Sequence, residues 1–271
     1  MLECFCLNAA TIKATPLEQQ IELAGKAGFA QIGLWNSDVD PAMARGETLA
    51  SIKSRLDDAG LRVGEFCFLP GWMDADAAKL KTTLAEARRL SEMTSALGSD
   101  LLVTIPSIKP GWLDGAPDRF RQVCAVAGEY GVRVALEFPG IAAEVNNLGA
   151  AYDLVSAAGA PNGGLIIDTF HFTLGGSKIE DFARLKPGDI ILVHVSDALD
   201  LPPEKLRIPH DNRTFPGEGT INYRPIFSEI KRLKYVGPVS LEVWNSEYQK
   251  RDPELMVKRG AETLQRLAAL L

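Results

Sequence analysis

Four residues stand out as able to do chemistry together: Glu137, Asp168, His194 and Glu242. Each closes a short apolar run: VRVALEFPG, LIIDTFH, IILVHVSDA and VSLEVWN. Residues two apart on a strand share a face, so Leu192 goes with His194 and Ser240 with Glu242. If the runs are neighbouring parallel strands, the four tip side chains converge. Three carboxylates at close range repel one another, and a divalent cation relieves that repulsion. Three oxygens and one nitrogen suit Mn²⁺, Mg²⁺ or Co²⁺, and Zn²⁺ accepts the same donors. A divalent metal is therefore the expected cofactor, with Mn²⁺ the preferred ion. Asp197 falls on the opposite parity from His194 and is expected to orient a neighbour rather than to ligate.

Such convergence needs a scaffold that gathers strand ends. Eight apolar runs serve as candidates: Leu2–Leu7, Phe29–Trp35, Arg62–Phe68, Asp100–Ile105, Val132–Phe138, Gly164–Phe170, Ile190–Val195 and Val239–Trp244. Their content of Val, Ile, Leu and Phe suits strands buried on both faces. Helix-like stretches separate them, at Pro16–Gly28, Lys79–Gly98, Asp118–Gly131, Leu148–Gly159, Tyr223–Tyr235 and Glu254–Leu271. Several close on glycine, the residue best suited to a left-handed helix stop. Strict alternation calls for parallel strands with helical crossovers. Eight such units in 271 residues predict an α/β protein, a (β/α)₈ TIM barrel forming a single domain over residues 1–271. A doubly wound sheet would place a glycine-rich loop after its first strand, where Asn-Ala-Ala-Thr stands instead. The stretch 196–221 reads as a long irregular loop, which in a compact domain usually serves function. Asn8, Trp35, Phe68 and Trp244 lie near strand ends. Asn8 and Trp35 are expected to bind substrate, and the aromatic residues to form apolar walls.

Composition narrows the partners. The formal net charge of −6 argues against a nucleic-acid partner. No apolar run approaches the roughly 20 residues of a membrane helix. The opening MLECFCLNAATIK lacks the pattern of a signal peptide, so no membrane partner and a cytoplasmic location are expected. Cys4, Cys6, Cys67 and Cys124 form no CxxC pair and read as buried small apolar residues.

In order and spacing, ALEFPG, IIDTFH, VHVSDA, the Arg213-x-x-Pro216-Gly-Glu-Gly219 loop and SLEVW resemble the xylose-isomerase-like TIM barrels, the sugar phosphate isomerase/epimerase family. The resemblance implies a metal held by Glu137, Asp168, His194 and Glu242, with His171 and Arg213 touching substrate. It implies a metal-dependent isomerase or epimerase of a small ketose or hydroxy-carbonyl sugar, with Glu137 and Glu242 exchanging a proton beside the carbonyl. Arg207 shares the loop with Arg213 and competes for its role. The resemblance implies a small carbohydrate or cyclitol substrate, and no basic cluster follows the seventh run, so a non-phosphorylated one is expected. The same family contains dehydratases of inosose-like or dehydroshikimate-like rings, the alternative reading. A remoter one is an abasic-site endonuclease, whose three-zinc cluster needs more histidines than His171, His194 and His210. A homo-oligomer is a family-level expectation.

Overall fold

The computed structural model describes residues 5–207 and 211–268. The expected segments at Leu2–Cys4 and beyond Ala268, with His210, lie outside them. Eight parallel strands close into a barrel in the order β1-β10-β7-β6-β5-β4-β3-β2. They are β1 (Phe5–Asn8), β2 (Gln31–Trp35), β3 (Arg62–Leu69), β4 (Leu101–Thr104), β5 (Arg133–Leu136), β6 (Gly163–Asp168), β7 (Ile190–Val195) and β10 (Val239–Leu241). All eight expected strands are present, so the fold is a TIM barrel.

Alternation along the strands explains why the runs are so apolar. One parity faces the barrel axis, where Cys67, Leu101, Val103, Ala135, Ile166 and Leu192 pack in one small core. The other parity, including Leu7, Phe66, Leu136, Ile167 and Val193, packs in a much larger core with the helices. Burial on both faces removes any need for polar positions, and β7 is buried at all six residues.

The helices follow the expected punctuation. They are α1 (Leu17–Lys26), α2 (Asn36–Ala44), α3 (Leu49–Asp58), α4 (Ala77–Ala96), α5 (Ala116–Gly128), α6 (Leu148–Ala158), α7 (Thr169–Leu174), α8 (Pro203–Leu206), α9 (Tyr223–Arg232) and α10 (Pro253–Leu267). Side chains of Asp76 and Asn147 cap α4 and α6 by accepting first-turn amides. Among the described residues, no helix is long and apolar enough to cross a membrane.

Three departures from expectation have local causes. Helices α2 and α3 lie in a stretch assigned to none of the expected helices. Pro41 interrupts the pattern of α2, while α3 starts at a Thr48–Ser51 capping box. Strand β6 stops at Asp168 rather than running to Phe170, because the Asp168 carboxylate accepts the His171 amide at 2.8 Å and starts α7. The stretch 196–221 is not wholly irregular. Asp197–Ala198 (β8) and Arg213–Thr214 (β9) form a small antiparallel ribbon, with α8 inside it.

Asp197 holds that ribbon in place. Fully buried, it accepts amides from Ala198 (2.9 Å), Gly217 (2.9 Å) and Ile221 (2.8 Å). Gly219 is required there, since a Cβ would fall 2.2 Å from the Ala198 carbonyl and 2.6 Å from Asp197 Oδ1. Asp197 thus anchors the loop that carries Arg213. Asp197→Ala strands the buried amides of Ala198 and Ile221 and releases that of Gly217, and should cost about 3 kcal/mol of stability. Urea unfolding of the variant should show a lower midpoint with an unchanged slope; an unshifted midpoint would contradict the anchoring role.

Candidate metal centre and active site

The strand register brings the four tip residues together. Asp168 pairs with His194 across β6–β7, and His194 pairs with Ser240 across β7–β10. Glu137 and Glu242 lie one residue past their strands but keep the ladder going, through Glu137 N–H to the Thr104 carbonyl (2.9 Å) and Glu242 N–H to that of Val195 (3.1 Å). All four share the axis-facing parity. Each offers a donor atom, and these atoms lie within 4.8 Å of one another. Glu137 and Glu242 line the floor of a cavity of about 430 Å³ at the C-terminal end of the barrel, and Asp168 and His194 are buried beside them, outside its lining.

His194 is fully buried and its two ring nitrogens have different tasks. Nε2 lies 2.6 Å from Glu65 Oε2, whereas Nδ1 faces Glu137 Oε1 at 3.2 Å and Glu242 Oε2 at 3.5 Å. An ionised carboxylate only accepts, so the ring presents a proton at Nε2 to Glu65 and, as an imidazolium, a second at Nδ1 to Glu137 and Glu242. Burial alone would lower the pKa of His194. The surrounding carboxylates of Glu65, Glu242 and Glu137 outweigh it and raise the pKa well above the usual value.

Arg213, from β9, supplies the second positive charge. Its Nη1 donates to Asp168 Oδ2 at 2.8 Å and Ser196 Oγ at 3.0 Å and lies 3.3 Å from Glu242 Oε2. Its guanidinium covers the Phe170 ring at 4.7 Å. Burial works against the charged forms of Asp168 and Glu242. Arg213 together with His171 and His194 for Asp168, and His194 with Arg213 for Glu242, nonetheless holds both carboxyls below their ordinary range. Glu137 differs: burial, then the charge of Glu242, pushes it up to about 7.

His171 stands beside Arg213. Its Nδ1 faces the Gly140 amide at 3.2 Å, and Nε2 lies 3.0 Å from Arg213 Nη2. A neutral imidazole accepts at only one nitrogen. The Gly140 N–H at Nδ1 and the Arg213 Nη2–H at Nε2 therefore compete for the ring's single acceptor nitrogen, and the contact from Arg213 is the shorter. Burial, reinforced by Arg213, lowers His171 to about 4 against the opposing pull of Asp168, which keeps the ring neutral.

Of the other expected contacts, Trp35, Phe68 and Trp244 do line the cavity. Trp35 packs edge-on against Phe68 at 5.3 Å and Trp244 at 5.4 Å. Arg213 sits on the floor, and Arg207 is exposed at the rim. Asn8 is a correction. It is fully buried beneath the cavity and does not line it. Its Nδ2 donates to Glu65 Oε1 at 2.9 Å, and its Oδ1 accepts the Ala10 amide at 2.9 Å and Trp35 Nε1–H at 2.7 Å. With those bonds made, it supports Glu65 and Trp35 instead of meeting a ligand.

Glu65 is the residue that sequence reasoning missed. It is fully buried and accepts from His194, Asn8 and Ser240 Oγ (2.5 Å). The available signal was a carboxylate inside the apolar run VGEFCF, opposite a glycine. A Cβ on Gly33 would lie 2.5 Å from Glu65 Oε1.

The chain matches the xylose isomerase-like TIM barrel family over residues 21–267. It belongs to that family. It is 29% identical over 266 residues to an inosose isomerase of Halalkalibacterium halodurans, covering 95% of this chain and 94% of that one. It is 27% identical over 237 residues to a 3-dehydroshikimate dehydratase of Pseudomonas aeruginosa, covering 86% of this chain but 37% of that longer protein. The crystal structure of an IolI protein with a bound zinc atom superposes with a TM-score of 0.91 at 24% identity, covering 98% of each chain.

Glu65→Ala leaves three buried donors without an acceptor and should cost roughly 3–5 kcal/mol in urea unfolding. Gly33→Ala should reproduce part of that loss by displacing the same carboxylate. The double variant should then be less destabilised than the sum of the two, and strict additivity would argue against a shared site.

Proposed function

We propose that this chain is a divalent-metal-dependent isomerase or epimerase of a small hydroxy-carbonyl compound. The observation that carries the reading is the buried Glu137–Asp168–His194–Glu242 cluster beside the hydrogen-bonded His171–Arg213 pair. The donor set fits a metal: three carboxylates and an imidazole Nδ1, no thiol, and a histidine whose far nitrogen is held by a carboxylate. Carboxylate–histidine pairing of this kind fixes the ring and raises its basicity toward a cation. Glu137, Asp168, His194 and Glu242 would hold the ion. Mn²⁺ suits the oxygen-rich set best, with Mg²⁺, Co²⁺ or Zn²⁺ as alternatives. A bound divalent cation supplies Lewis acidity that stabilises an enediolate.

The remaining work falls to the side chains. Arg213, with His171 beside it, donates to a substrate oxygen and fixes the carbonyl end. Glu137 and Glu242 reach the floor from strands with two others between them, so they approach a substrate from different sides. One removes the proton from the carbon beside the carbonyl, and the other returns a proton. Return to the same carbon from the opposite side epimerises; return to the former carbonyl carbon isomerises. The inosose isomerase relative supports this reading. The dehydratase relative supports a second one, in which a β-hydroxyl leaves after the same first step. Deuterium uptake without loss of mass marks the first outcome, and a new enone absorbance marks the second.

Glu137→Gln and Glu242→Gln should each lower kcat/KM by about 10²–10⁴-fold in the deuterium assay. Full activity in either variant would refute the assignment. Exhaustive chelation should abolish exchange, and Mn²⁺ or Co²⁺ should restore it; a rate that survives verified metal removal would refute the metal requirement.

A further inference from the structure

The floor of the cavity is polar and its walls are not. Glu137, His171, Arg213 and Glu242 converge at the bottom, within reach of two or three substrate oxygens. Above them, Trp35, Phe68 and Trp244 form one side, and Ile105, Ile108 and Ile141 line another part of the wall. The indole N–H of Trp35 is already donated to Asn8, so that ring offers the cavity its carbon surface. Apart from the floor, the one charged side chain of the lining among the described residues is Arg207, exposed at the rim.

A ketose or keto-inositol carries hydroxyls along its whole length. The floor can pair with those nearest the reacting carbon. The distal ones would exchange water for isoleucine and aromatic carbon, and a hydroxyl buried without a partner is destabilising. A flat apolar group gains where the hydroxyls lose, because it fills the space between rings and aliphatic side chains. At about 430 Å³ the cavity lies within the roughly 300–1,000 Å³ range of small-molecule sites, with room for both ends.

We infer that the substrate has a hydroxy-carbonyl head and an apolar, ring-bearing tail rather than a polyhydroxylated one. The inference rests on the proton-transfer reading above and names the substrate class of that same site. The chemistry of the head is unchanged. The Cα–H bond breaks, its electron pair forms the C=C bond of an enediolate while the carbonyl π pair moves onto oxygen, and the proton passes to a glutamate; a proton returned to either carbon restores a C=O group.

The test uses the Mn²⁺-loaded protein in D₂O with three probes: 2-hydroxypropiophenone, D-fructose and 2-keto-myo-inositol. Binding is read by calorimetry and α-deuteration by NMR. The aryl hydroxyketone should bind more tightly and exchange with a kcat/KM at least about tenfold above either polyol. Ile141→Gln, a wall substitution, should shift that ratio toward the polyols while circular dichroism stays unchanged. Equal or faster exchange of a polyol, lost in Glu137→Gln and Glu242→Gln, would overturn the apolar-tail inference and leave the proton-transfer reading standing. Tighter binding of the aryl ketone with no exchange in any probe would support the tail class and overturn the proton-transfer reading.

Discussion

Crowded negative charge in a nearly dry place is the constraint on which the centre of this barrel depends. Glu137, Asp168 and Glu242 are all buried and their oxygens approach one another closely. Two like charges 4 Å apart repel by about 4 kcal/mol at an effective dielectric constant of 20. The surrounding fold answers with His194 and Arg213, each aimed at two or more acidic groups. Those two cations have different supports. His194 is steered by Glu65 from across the barrel, and Arg213 by the Asp197-anchored ribbon. Stability is thereby committed to holding these charges in one place, and buried ionisable groups gathered in a cleft are a mark of functional sites.

The sequence made some of this legible and hid the rest for physical reasons. Strand alternation has a fixed period, so Glu137, Asp168, His194 and Glu242 could be put on one face from spacing alone. Parallel strands with helical crossovers put those ends at one mouth of the barrel. Strand limits were less legible: β6 ends where the Asp168 side chain begins to cap a helix, a contact that hydrophobicity does not encode. Asn8 was misread because its role is set by Glu65 and Trp35, 57 and 27 positions away. Glu65 escaped for the same reason. A single acidic residue in an apolar run looks alike whether it meets water or a histidine 129 positions later.

Membership of the xylose isomerase-like family fixes the scaffold more firmly than the substrate. The inosose isomerase and dehydratase relatives show how widely the reactions of such barrels diverge. Differences of that kind arise in the loops and wall residues at the strand ends, while the barrel below them persists. Here the wall is aromatic and aliphatic, and the polar machinery is confined to the floor.

Wall and floor are not independent. An unbroken relay runs from the Trp35 indole to Asn8 (2.7 Å), from Asn8 to Glu65 (2.9 Å), and from Glu65 to the His194 ring (2.6 Å). Every link is short, and Asn8, Glu65 and His194 are sealed from solvent. Such a string acts as a gauge block, holding one side of the chamber at a set offset from the imidazole. Three hydrogen bonds therefore tie the position of the indole to that of the imidazole, and a shift of either would be passed along the string to the other.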